Sequence, residues 1–108
     1  MTVAPGETVE FETIDASGGQ LTPDSVASDV PNLSLADINP VTGPIYIAGA
    51  EPGDAVKVTF ESFQPSGWGW TALIPGFGLL AHDFPDPALT IWRYDAQNLG
   101  TAAFGPGG

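Results

Sequence analysis

The side chains able to do chemistry in this 108-residue chain gather in two places. The first is Glu10, Glu12 and Asp15, running into Ser17-Gly18-Gly19-Gln20. On an extended strand Glu10 and Glu12 share one face, because side chains alternate, and Asp15 follows in the turn beyond. Carboxylates at a strand end before a Gly-Gly loop offer oxygen ligands to a hard cation, or a base that polarises a water. The same residues also make an ordinary solvated face and a tight turn. The second place is His82, beside Asp83. It is the single histidine, so neither a three-histidine zinc site nor a His-x-x-x-His pair can be built. It reads as a loop residue, or as a general base or ligand whose partners come from elsewhere. No nucleophile elbow, phosphate loop or dinucleotide fingerprint occurs, and Gly76-Phe77-Gly78 alone is a weak signal.

Apolar surface is concentrated just before His82. From Trp68 to Leu80 the chain carries no charge, and large side chains alternate with glycines and Pro75. Trp68, Trp70 and Phe77 among bare backbone read either as core or as a flat-walled slot for a small, nearly apolar molecule. Residues 62–81 are uncharged but contain two prolines and four glycines, which excludes a transmembrane helix.

Charge narrows the partners. Thirteen acids face only Lys57 and Arg93, a net charge of −11. Phosphate backbones need clustered cations, so nucleic acid is excluded, and an anionic membrane surface is disfavoured for the same reason. The acidity fits a solubilising surface or a divalent-cation site. With no cysteine there is no disulfide or thiolate site. The opening residues carry no basic and apolar leader pattern, which gives the cytoplasm as the expected compartment.

These residues need elements to position them. Fourteen glycines and eleven prolines leave no room for long helices, so the expected class is all-β, or mostly β with short helical turns. Ala4-Pro5-Gly6-Glu7 and Glu51-Pro52-Gly53-Asp54 each read as a type II turn, with Pro fixing φ and Gly supplying φ > 0. Each precedes an alternating run, Val9, Phe11 and Thr13 in one and Val56, Val58 and Phe60 in the other. Both predict half-buried strands. Thr22-Pro23-Asp24 predicts a helix start, with a short helix over 25–29 ended by Pro31. Leu33 to Asn39 predicts a single turn. Further strands are predicted over Ile45–Ala48 and Ala88–Tyr94. The stretch 100–108 is expected to be a flexible Gly/Pro-rich end.

Several blocks together resemble the acetamidase/formamidase family. They are residues 12–22, residues 39–46 (Asn39-Pro40-Val41-Thr42-Gly43-Pro44-Ile45-Tyr46), residues 49–54, Gly67-Trp68-Gly69-Trp70-Thr71-Ala72, and residues 74–80. The resemblance implies hydrolysis of short linear amides, such as formamide and acetamide, to ammonia and a carboxylate. It implies a β-sandwich or jelly-roll-like fold, oligomers and bound metal. Members are longer, with a His- and Trp-containing segment upstream and Gly-, His- and acid-rich motifs downstream. Residues 1–108 are therefore expected to be a single domain or the N-terminal segment of such a fold.

Carried onto this chain, the resemblance points to Glu12, Asp15 and Gln20 as catalytic polar residues. It points to Trp68, Trp70, Pro75, Gly76, Phe77 and Gly78 as the pocket. Glu12, Asp15 and His82 are the expected ligands of a divalent metal, zinc or calcium, although His82 stands where the family varies. A non-catalytic β-module is the alternative. Either way the Trp68–Leu80 run is expected to be buried against a second copy or a complementary chain. That contact should tighten as salt screens the acidic charge.

Overall fold

Two small sheets and two short 3₁₀ turns make up the regular structure of a computed structural model that describes residues 1–101. Strand β1 (Thr2–Val3) pairs in parallel with β2 (Tyr46–Ile47). Strand β3 (Trp68–Leu73) pairs antiparallel with β4 (Ala88–Arg93), Trp70 opposite Ile91 and Ala72 opposite Leu89. Half of the residues in the second pair are β-branched or aromatic, and Tyr94 N–H extends it to the Gly67 carbonyl at 2.9 Å. On one face Trp68, Trp70, Ala72, Leu89 and Ile91 are half-buried. On the other the Trp92 indole donates to Thr71 Oγ1 at 2.8 Å. The chain is strand and coil with almost no helix, compatible with the expected all-β class, and among the described residues its strands form two separate two-stranded sheets.

Both Pro-Gly turns form. Glu7 N–H reaches the Ala4 carbonyl and Asp54 N–H the Glu51 carbonyl, with Gly6 at φ 90° and Gly53 at φ 104°. In each, the acid also folds back. The Glu7 carboxylate accepts from Ala4 N–H, and the Asp54 carboxylate from Glu51 N–H. The strands expected after these turns do not form. Residues 8–13 and 55–61 have no ladder among the described residues, although Thr8 Oγ1 touches the Glu61 carboxylate at 3.3 Å. Alternation specifies faces, but a strand exists only where a neighbour supplies the matching N–H and C=O groups. Glu10 and Glu12 accordingly do not share a strand face.

The predicted short helix becomes a 3₁₀ segment over Ala27–Asn32 that contains Pro31 instead of stopping before it. Leu33 N–H closes a turn onto the Val30 carbonyl, which puts Pro31 at the second position of that turn, where its fixed φ is favoured. Asp29 accepts from Val26 N–H and caps the segment start. Among the described residues only Leu21 and Val30 are completely buried apolar side chains, at 2% and 1% exposure. The radius of gyration, 18.0 Å, exceeds the roughly 13 Å usual for a folded domain of about this size.

Arg93 ties β4 to this segment, donating to the Pro23 carbonyl at 2.8 Å and lying 3.7 Å from the Asp24 carboxylate. Both side chains of that ion pair are mostly in solvent. Asp24→Asn should therefore shift a urea midpoint by the equivalent of roughly 0.5 kcal/mol or less. No described helix is long and apolar enough to cross a membrane. Most of the expected flexible end lies outside the described residues.

Candidate functional site

Asp15 is the centre of a polar constellation that joins distant parts of the chain. Its Oδ1 accepts from Ser17 N–H at 2.8 Å, from Ser17 Oγ, and from the Trp70 indole N–H at 2.9 Å. Its Oδ2 accepts from Gly19 N–H at 3.2 Å. The local half of this pattern follows from sequence: an aspartate before Ser-Gly-Gly folds onto the next backbone N–H groups. Gly18 at φ 71° and Gly19 at φ 78° make the return possible. A Cβ on Gly18 would strike the Asp37 carbonyl, so this glycine also permits a close approach of backbone.

Burial alone would raise the Asp15 pKa. The bonds from Ser17, Trp70 and Gly19 outweigh it and hold the carboxyl below its ordinary 3.8. Asp15 is therefore an anion at neutral pH, and its oxygens are engaged by four donors.

The loop is fastened on two further sides. Ser17 is fully buried, and its Oγ accepts from Leu21 N–H at 3.0 Å. The Gln20 carboxamide donates to the Ser17 carbonyl at 2.7 Å and the Ser34 carbonyl at 3.2 Å, and accepts from Ser34 N–H at 2.7 Å. Asn39, in the left-handed region at φ 54°, donates its N–H to the Ala16 carbonyl. Beside this junction lies an apolar depression of about 190 Å³ walled by Ala16, Leu33, Ile38 and Trp70, with Asn39 as its polar group. Phe77 and Ile74 separate it from a larger groove of about 390 Å³ that continues along Gly78, Leu79 and Leu80.

The expected site residues thus divide. Asp15, Gln20 and Trp70 meet at one junction, and Phe77 lines the depression beside it. Trp68 shares the β3 face of Trp70 without lining either hollow. Pro75 and Gly76 form the turn closed by Phe77 N–H on the Ile74 carbonyl, and Gly78 lines the larger groove. Glu12 is exposed, and its carboxylate has no partner among the described residues; its backbone carbonyl accepts from Thr42 Oγ1 at 3.4 Å. His82 is exposed and lines neither hollow. Glu12, Asp15 and His82 do not converge, and among the described residues no three His, Asp or Glu side chains do. The zinc or calcium ligand set expected from them does not assemble within these residues. Sequence reasoning passed over Ser34 and took Ser17 and Asn39 only as members of longer runs; all three serve as backbone fastenings. Only Ser17 carried a signal, its place two residues after an aspartate.

Comparison with known proteins bears on the same stretch. The profile of the acetamidase/formamidase family matches residues 1–103. A formamidase of Methylophilus methylotrophus is 36% identical over 85% of this chain and 24% of its own length. An acetamidase of Mycolicibacterium smegmatis is 31% identical over 89% of this chain and 27% of its own. The chain thus spans about a quarter of the length of the relatives it matches. No solved structure matches.

Proposed function

The chain belongs to the acetamidase/formamidase family, and on that premise we propose that it is the N-terminal portion of an assembly that hydrolyses short linear amides. The match over residues 1–103 carries this reading. Water adds to the amide carbonyl, the C–N bond breaks, and the nitrogen leaves as ammonia after gaining a proton, giving a carboxylate. Glu12, exposed and with its carboxylate unpartnered among the described residues, is assigned the role of taking a proton from that water. Asp15, saturated by donors, is a positioning residue that fixes the Trp70 indole, and Gln20 holds the loop against Ser34. The depression between Trp70 and Phe77 suits the aliphatic end of an amide of a few heavy atoms. In this reading the two small sheets are parts of a larger β-sandwich, completed by a complementary chain or further copies.

A non-catalytic β-module is the second reading, favoured by one observation: the hydrogen-bonding groups of Asp15 and Gln20 are turned inward on the chain itself. The two separate by assay. Ammonia release from formamide and acetamide is measured for the chain alone and for the chain joined to the remaining length of the Methylophilus formamidase. Turnover is expected only in the second case, and Glu12→Gln should lower kcat by about 100-fold or more. An active assembly indifferent to Glu12→Gln removes the role of Glu12. A folded but inactive assembly leaves the module.

A further inference from the structure

We infer that residues 55–63 are a strand-pairing surface, and that its occupant is polypeptide from the three quarters of a family-length enzyme lying beyond the matched stretch. The inference rests on family membership and not on catalysis. Four observations carry it. Ala55 to Glu61 follows a formed type II turn and alternates Val56, Val58 and Phe60 with Lys57, Thr59 and Glu61, the pattern of a strand with one dry face. Yet residues 55–63 make no backbone–backbone hydrogen bond among the described residues. The dry face is in solvent: Val56, Val58 and Phe60 are 62%, 69% and 76% exposed. Phe63, 72% exposed, stacks on Phe60 at 5.6 Å between ring centroids and extends the exposed apolar surface beyond the alternating run.

An unpaired strand with an apolar face takes a neighbouring strand, which satisfies backbone groups and covers side chains at once. The family profile matches residues 1–103, a stretch that includes residues 55–63. Relatives about four times the matched length have the polypeptide to cover them. A second copy is the poorer occupant. Each chain carries −11, and pairing like with like brings those charges together.

Amide hydrogen exchange tests this on proteins as they exist. Residues 55–61 should exchange quickly in this chain, and the aligned segment of the intact Methylophilus formamidase should exchange at least about 100-fold more slowly. Co-expressing this chain with the remaining length of that formamidase should slow exchange at 55–61. Val58→Glu should weaken the association about 30-fold or more, the loss expected of a hot-spot side chain. Because Val58 is exposed in the free chain, tryptophan emission of the free variant should match the wild type. Fast exchange of the aligned segment in the intact relative overturns the inference. So does a homodimer of this chain in sedimentation that Val58→Glu splits, which would assign the surface to a second copy.

Discussion

Replacing Asp15 by alanine should lower the melting temperature by on the order of 10 °C and red-shift the tryptophan emission. Four donors point at this carboxylate, from Ser17, Gly19 and Trp70. Hydrogen bonds to a charged group are worth about 1.5–3 kcal/mol each, and these four share one acceptor and do not add, so the net loss is roughly 2–4 kcal/mol. For a domain of this size each kcal/mol moves the midpoint by about 4 °C or more. Asp15→Asn keeps one oxygen for Ser17 and Trp70 but turns an amide donor toward Gly19 N–H, so it should fall between alanine and wild type. The pH dependence follows from the lowered pKa. The ionised form stabilises the fold, so the contribution is complete above the unfolded-state value near 3.8 and is lost as pH falls through the lower folded-state value. Wild type and Asp15→Asn should converge in stability at the acid end. An alanine variant with unchanged midpoint and emission would show that Asp15 anchors nothing.

How far sequence led depended on the range of each interaction. The Pro-Gly turns at 4–7 and 51–54 were legible because Pro and Gly set φ within four residues. Strand β4 was legible because its apolar alternation finds a partner within the chain. That partner, β3, lies in the Gly-broken Trp68–Leu80 run, which reads from sequence as core or slot and not as a strand. The 8–13 and 55–61 runs show the limit. Their alternation is as regular as that of β4, but periodicity names a face and not a neighbour, and no neighbour pairs with them among the described residues. The candidate site divides in the same way. Asp15 and Gln20 drew attention as polar residues beside glycines, and the Asp-x-Ser-Gly-Gly turn was readable locally. The bond from Trp70 spans 55 residues, and no local pattern encodes it. Gln20 was expected among the catalytic polar residues; its carboxamide binds the backbone of Ser17 and Ser34, amide groups within the chain itself. The expected ligand trio failed to gather because residue type marks a capacity for coordination, whereas coordination needs convergence.

Leu21→Ala should remove cooperative unfolding from the isolated chain altogether, while Leu79→Ala should leave its urea curve unchanged. Both delete the same atoms. Leu21 is 2% exposed and sits where Ser17 caps its backbone, and Val30 is the other completely buried apolar side chain among the described residues. Truncating a buried leucine costs about 2–5 kcal/mol, transfer and cavity together. A typical domain has only about 5–15 kcal/mol in hand, and a chain with so little core sits at the lower end. The loss therefore consumes most of the margin, and near-UV circular dichroism should flatten at 25 °C. Leu79 has no such environment, since its side chain is wholly in solvent on the Gly-rich turn. Chain segments that bind to the native state add stability by mass action, so a family-length partner should restore a transition to Leu21→Ala. Equal losses for the two variants would mean that the 21–30 region is not the core that holds β3 and β4 in place.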